Sequence, residues 1–355
     1  MEELKTPERI ESFSKKRPTF TLQWHLTNAC PNNCKHCYND RHNQPLSLID
    51  TKKIVDDFGY LLKRWNCNGG IYFTGGDPLL YPNFYDLLKY TRSQIPEVMI
   101  GILGNPELLT EETIEVLKEQ DVHSYQMSID GLEKTHDYFR HPGSFKNTLE
   151  KLNLLREMGI KTMVMSTVSR VNIKELPELI NVIVENKIDF FDFRRLVPIG
   201  RGKRLERESI ISPREYRNFL QEMDKMYEKY RGEKTLFETG DPLWRLFYFE
   251  EGKIQRVKNS NLVWSGCMIG CDGVTILENG IVLACRRLPI LIGKVPAQKI
   301  RDIFVRSPSL NEMRKIEKIK KCQDCELLLQ CRGCRAVANA LKNDYFAEDP
   351  QCWRN

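Results

Sequence analysis

Three cysteines stand close together in the run Asn28-Ala29-Cys30-Pro31-Asn32-Asn33-Cys34-Lys35-His36-Cys37-Tyr38. The spacing CxxxCxxC brings three thiolates into one short loop, and thiolates are the ligands of soft metals. A cubane [4Fe-4S] cluster has about four iron corners to fill, so three protein ligands leave one iron open to an outside molecule. The same residues allow two plainer outcomes. One is a zinc site completed by His36 or His42, and the other is a set of structural thiols.

Eight of the twelve cysteines lie between Cys267 and Cys352. Cys267 and Cys271 are followed by Cys285, and then Cys322, Cys325, Cys331, Cys334 and Cys352 come in close order. Eight soft thiolates satisfy two four-ligand sites, and by spacing alone zinc and iron-sulfur fit equally well. Cys67 stands alone and reads as an unligated thiol. A long cysteine-free stretch separates the two regions, so two cysteine-dependent sites are expected.

The chain has 355 residues and 41% hydrophobic content, enough for a sizeable core. Its first residues, MEELKTPERIESFSKKRP, are charged and lack the apolar stretch of a signal peptide. No apolar run of membrane-spanning length occurs, so a cytoplasmic protein without a membrane partner is expected. In a reducing compartment thiols bind metal or do chemistry more often than they pair as disulfides. Lys plus Arg total 54 against 48 for Asp plus Glu, a net charge of +6 scattered along the chain. With no basic stripe and no RNA-binding module, nucleic acid is not an expected partner.

The elements that must carry these cysteines alternate between residues 21 and 230. Short apolar runs at Thr21–Leu26, Gly70–Thr74, Val98–Leu103, Ser124–Ile129, Thr162–Val168 and Phe190–Val197 read as strands buried on both faces of a parallel sheet. Between them Ile49–Trp65, Tyr81–Arg92, Thr110–Gln120, Ser144–Met158 and Ile173–Glu185 repeat apolar residues at helical spacing, and Pro213–Tyr230 follows the last strand. Six strand-then-helix units predict an α/β fold, a partial (β/α)6 parallel barrel, with its sites in loops at the carboxyl ends of the strands. Residues 1–20 form an N-terminal segment and 21–230 the barrel. From residue 231 to 265 the alternation is lost and a bridging segment is expected. Residues 266–355 are cysteine-dense and need metal to hold them.

The first cysteine run resembles the signature loop of the radical S-adenosylmethionine (SAM) superfamily. Thr74-Gly75-Gly76-Asp77-Pro78 resembles that family's GGE segment, and Ser128-Ile129-Asp130-Gly131 resembles the SIDG segment of its peptide-modifying members. The resemblance implies a [4Fe-4S] cluster on Cys30, Cys34 and Cys37 with SAM on its open iron. It further implies SAM contacts from Gly75, Gly76, Asp77, Asn105, Ser128, Asp130 and Ser166, with Val197 and Arg201 of the VPIGRG run near the adenine and carboxylate. His36 and Tyr38 would pack near the adenine. The other histidines, His25, His42, His123, His136 and His141, show no ligand-like spacing and read as ordinary polar positions.

The C-terminal cysteines are similar to a SPASM domain, with Gly280 ahead of Cys285 fitting its first half. Carried over by order, Cys267, Cys271, Cys285 and Cys334 would hold one auxiliary [4Fe-4S] cluster, and Cys322, Cys325, Cys331 and Cys352 a second, for three clusters in all. Relatives have three residues where Arg332 and Gly333 separate Cys331 from Cys334 here, which bears on Cys334. The resemblance covers residues from about 20 to 355 and implies an oxidoreductase that cleaves SAM to a 5′-deoxyadenosyl radical. Its expected work is oxidative modification of a ribosomally made peptide, as a thioether or other crosslink, with a flavodoxin or ferredoxin as electron donor. Only about 20 residues precede the first strand, and no N-terminal leader-binding module is expected. Tetrapyrrole (heme-type) side-chain modification and sulfatase-type protein maturation are the alternatives.

Overall fold

The computed structural model describes residues 17–39, 43–205, 210–257 and 262–354, so His42 and most of the N-terminal segment lie outside the described residues. The alternating strands are β1 (Thr19–Thr27), β2 (Asn68–Gly75), β3 (Met99–Leu103), β4 (Val122–Ser128), β5 (Lys161–Val168) and β6 (Phe190–Arg195). They lie side by side in that order and are all parallel. In β5 every second residue, from Thr162 to Val168, is buried, while Met163, Met165 and Thr167 keep some exposure on the other face. This period of two turns one face of the sheet to the helices and the other to the barrel interior.

Helices α1 (Leu48–Trp65), α2 (Phe84–Gln94), α3 (Glu111–Glu119), α4 (Glu133–Phe139), α5 (Ser144–Glu157), α6 (Leu176–Glu185) and α7 (Pro213–Lys229) cover the outer face. Local chemistry sets their ends. The Ser47 side chain accepts from the Asp50 N–H to open α1, and Asn66 closes it in the left-handed conformation. Ser212 and Glu215 form a capping box at the start of α7, whose first residue is Pro213.

Two features depart from the sequence expectation. The stretch after residue 231 adds a strand, β7 (Leu236–Phe237), parallel to β6, and a helix, α8 (Leu243–Glu250). Its aromatic residues belong to the barrel core: Trp244 is fully buried, with ring centroids 5.6 Å from Tyr227 and 5.9 Å from Phe193. The cysteine-rich region also extends the same sheet. Strand β8 (Gly273–Ile276) pairs parallel with β1, and β9 (Ile281–Cys285) and β10 (Leu288–Lys294) continue it antiparallel. Gly273 is required there, because a Cβ would stand 2.3 Å from Thr21 Oγ1. The result is one open ten-stranded sheet ending in β10 and β7. Three short helices, α9 (Ile300–Arg306), α10 (Pro308–Met313) and α11 (Arg335–Lys342), complete the C-terminal region. Among the described residues no helix is long and apolar enough to cross a membrane.

Candidate functional site

The first cysteine loop follows β1 and is docked by two glycine segments. Gly76 N–H donates to Thr27 O and Asp77 N–H to Ala29 O, each at 2.7 Å, so the second strand's end clamps the loop. A Cβ on Gly76 would lie 2.1 Å from Ala29 O, which only glycine avoids. On the other side Arg201 N–H donates to Cys37 O at 2.9 Å, and Gly200, at φ +55, sits where a Cβ would meet Tyr38 O at 2.5 Å.

Cys30, Cys34 and Cys37 line a cavity of about 200 Å³ at the carboxyl ends of the strands. His36, Tyr38, Gly75, Gly76, Asn105, Ser128, Val197 and Arg201 line it with them. Three expected site residues stand behind its wall. Asp77 is fully buried and holds Asn105, accepting from its N–H at 3.2 Å and its Nδ2 at 3.0 Å. Asp130 holds His36 at 3.3 Å and the Thr167 N–H at 2.9 Å. Ser166 donates to Ile129 O on the helix-facing side of β5, where strand parity leaves Met165 and Thr167 facing the cavity.

Asn105 Nδ2 reaches Cys30 Sγ at 3.6 Å, and Asn32 Nδ2 in turn donates to Asn105 Oδ1 at 3.1 Å. Arg140 NH1 reaches Cys34 Sγ at 3.5 Å while its Nε donates to Asp130 Oδ2 at 2.9 Å. These are charge-assisted and amide donors aimed at sulfur. Burial pushes the Cys30 thiol up to about 11 and raises Cys34 as well, so each thiolate needs a cation or metal beside it. Burial alone would also raise Asp130, but Arg140 and His36 outweigh it and hold the carboxyl well below the usual range.

His136, read from sequence as an ordinary polar residue, is a buried support for this network. Its Nδ1 accepts the Asp130 N–H at 3.1 Å and its Nε2 lies 3.1 Å from Ser144 Oγ. Burial, helped by Arg140, lowers its pKa from 6.5 to about 3, so the folded chain holds the neutral ring. The unfolded chain binds the extra proton first, so this stabilising contribution is complete above 6.5 and is lost as pH falls toward 3. Lowering pH from about 7 to about 5 is expected to reduce the urea midpoint, and His136→Gln is expected to flatten that slope. Equal slopes in the two proteins would contradict it.

In the C-terminal region Cys322, Cys325, Cys331 and Cys352 line one small cavity together with Asp349. Burial pushes Cys322 up to about 12, and the nearby Cys352 and Cys325 add to the shift. Cys267, Cys285 and Cys334 line a separate cleft of about 570 Å³. Cys271 is exposed and near Cys267 without lining that cleft. The short Arg332-Gly333 spacer is accounted for by backbone geometry. Both residues are left-handed, at φ +64 and +59, and this tight turn sends Cys331 to one group and Cys334 to the other. Among the described residues no three His, Cys, Asp or Glu side chains converge where a single metal ion would sit. Buried, grouped thiols facing cavities fit iron-sulfur clusters, which spread their ligands over separate irons.

The wall between this first cavity and the cleft is cationic. Six arginines line the first cavity, Arg140, Arg194, Arg195, Arg201, Arg286 and Arg287, and no carboxylate does. Arg140, Arg194 and Arg195 are ion-paired with aspartates, whereas Arg201, Arg286 and Arg287 have no ion pair among the described residues. Sequence reasoning missed Arg140, Arg194, Arg195, Arg286 and Arg287. The one available signal was the pair of arginines directly after Cys285.

The radical SAM superfamily pattern matches residues 24–183, and the iron-sulfur cluster-binding SPASM domain matches residues 267–326. The chain is a radical SAM enzyme with a SPASM domain. Its cofactors are accordingly [4Fe-4S] clusters and SAM. The chain is 29% identical over 345 residues to an AdoMet-dependent heme synthase of Methanosarcina barkeri, covering 93% of this radical SAM enzyme and 95% of that relative. It is 25% identical to a pre-heme d1 synthase of Dinoroseobacter shibae, over 98% of this chain and 89% of the relative. The solved structure of Streptococcus suis SuiB bound to S-adenosylmethionine shares its fold, with a TM-score of 0.74, 19% identity, and coverage of 98% of this chain and 81% of SuiB. SuiB has also been solved with its precursor peptide SuiA.

Proposed function

We propose that this radical SAM enzyme oxidatively modifies a carboxylate-bearing side chain of a heme-type tetrapyrrole. The observation that carries the reading is the cavity itself, which six arginines and no acidic side chain line. Arg140, Arg194 and Arg195 already have aspartate partners behind the wall, so the guanidinium groups that are costly unless a ligand supplies the anions are those of Arg201, Arg286 and Arg287. Arg286 and Arg287 are then the substrate-facing pair, and Arg201, beside Cys37, is the partner for the SAM carboxylate. Tetrapyrroles with propionate arms match that demand, and near full-length likeness to an AdoMet-dependent heme synthase supports the choice.

Cys30, Cys34 and Cys37 would hold the first cluster, and the two C-terminal groups, Cys267, Cys271, Cys285, Cys334 and Cys322, Cys325, Cys331, Cys352, would hold two more. When bound, these groups supply a 5′-deoxyadenosyl radical and a place to store electrons. The chain's own residues do the rest. Asn105 and Arg140 set donors against Cys30 and Cys34, the glycine segments fix the loop, and the arginine pair orients the substrate. Removing one hydrogen atom from the propionate carbon next to the ring, then CO2 and one electron, would leave a vinyl group and balance. A small acidic electron carrier such as a flavodoxin or ferredoxin would supply the reducing electron.

Anaerobic incubation of the reconstituted enzyme with SAM, reductant and an iron porphyrin bearing propionates is expected to lower the porphyrin mass by about 46 Da for each converted arm. A second reading is oxidative crosslinking of a ribosomally made peptide. Its support is the fold shared with SuiB and the cleft rim carrying Trp264 and Met268. Unchanged porphyrin together with loss of about 2 Da from a peptide encoded beside this chain would overturn the tetrapyrrole reading.

A further inference from the structure

The radical cavity and the cleft at Cys267, Cys285 and Cys334 share four wall residues, Gln23, Arg194, Arg286 and Arg287. Arg194 pairs with Asp192 at 2.9 Å. Arg286 has no ion pair among the described residues, and its NH1 donates to the neighbouring wall residue, at Gln23 Oε1, at 2.9 Å. Arg287 turns to a backbone group instead. Its NH1 donates to the Arg195 carbonyl at 3.1 Å, its Nε is buried without a partner, and it has no ion pair among the described residues. On the cleft side it lines the wall together with Cys267, Cys285 and Cys334.

We propose that Arg287 is a charge shared across this wall, anchoring a substrate carboxylate from the radical cavity while serving as counter-charge to the iron-sulfur site held by Cys267, Cys285 and Cys334. The identity of the carboxylate rests on the tetrapyrrole reading above. A carboxylate against the guanidinium cancels part of its field at the cysteines, so substrate binding lowers the reduction potential of that site. Linkage makes the effect reciprocal, and the reduced site, more negative by one electron, binds the carboxylate more weakly by the same factor. Departure of CO2 removes the anion and returns the full charge of Arg287 to the cysteine side. This would coincide with the loss of one electron from the substrate, for which a cluster on Cys267, Cys285 and Cys334 would be the acceptor.

The test uses reconstituted holoenzyme, a free-base porphyrin with four propionates as probe, and potentiometric EPR of the C-terminal clusters. The oxidised protein is expected to bind the porphyrin about tenfold more tightly than the reduced protein, which corresponds to a fall of about 59 mV on binding for a one-electron couple. Arg287→Gln is expected to lower the potential of the ligand-free clusters, weaken porphyrin binding about tenfold and abolish its redox dependence, while Arg287→Lys retains both. Identical cluster potentials in wild type and Arg287→Gln would overturn the proposal. If the porphyrin binds equally to both redox states, the linkage falls and the tetrapyrrole reading stands. If saturating succinate shifts the potential in wild type but not in Arg287→Gln while the porphyrin does not bind, the linkage stands and the tetrapyrrole reading falls.

Discussion

Replacing Cys34 with Ala is expected to lower reductive cleavage of SAM by at least a thousandfold, about 4 kcal/mol in the barrier, while the C-terminal clusters remain. Cys34 is the loop cysteine that Arg140 reaches at 3.5 Å, so the substitution removes a ligand and leaves Arg140 NH1 without its sulfur partner while the pair with Asp130 remains. Iron is expected to fall by about four of twelve atoms per chain. Arg140→Gln separates the two effects. That variant keeps the thiol and is expected to keep its iron while losing about tenfold in SAM cleavage, because one charged donor to sulfur is gone. Chromatographic assay of 5′-deoxyadenosine and colorimetric iron analysis check both. Wild-type formation of 5′-deoxyadenosine in Cys34→Ala would remove the loop from the account.

The second large effect is structural and lies at Arg195. Its guanidinium is 2% exposed and forms a bidentate pair with Asp349 at 2.7 Å, with Asp241 at 2.9 Å and Gln351 at 2.8 Å completing the shell. Asp349 also accepts the Cys334 N–H at 2.6 Å, so the end of β6 is tied directly to the cysteine turn. Arg195→Met fills similar volume but leaves two buried carboxylates uncompensated, and removing one partner of such a set costs about 3–5 kcal/mol. The urea midpoint of the holoprotein is expected to drop accordingly, with loss of iron from the C-terminal sites before the barrel unfolds. A change under about 1 kcal/mol would show that the two regions are not held together through this residue.

How far the sequence could be read follows the range of each interaction. The first cysteine loop, the glycine segments and most helix bounds were legible, because spacing, caps and periodicity act over a few residues. The α1 and α7 ends match their caps at Ser47 and Ser212 within about a residue. Strand β7 escaped, since two residues carry no periodicity. The pairing of β8 with β1 escaped too, because its partners, such as Thr21 and Gly273, are far apart in sequence. Arg195 reads locally as a charge at a strand end, and its meaning comes from Asp349, 154 positions away. Ser166 illustrates a different gap. One step in strand register separates a cavity-facing side chain from one against the helices, and sequence bounds are not sharp enough to settle that step. The cation-lined wall was invisible for the same reason as Arg195, being assembled from β6, its following turn and the end of β9.

The most direct test of the central claim, that the radical formed above Cys30, Cys34 and Cys37 acts on a carboxylate arm held by the arginine wall, is isotope transfer. An iron porphyrin deuterated at the propionate carbon next to the ring is incubated anaerobically with holoenzyme, SAM and reductant, and 5′-deoxyadenosine is analysed by mass spectrometry. About one deuterium per 5′-deoxyadenosine is expected with each converted arm. A large fall in that transfer is expected when Arg286 and Arg287 are both replaced by Gln. Unlabelled 5′-deoxyadenosine from the deuterated porphyrin, with label arriving instead from a deuterated peptide, would contradict it.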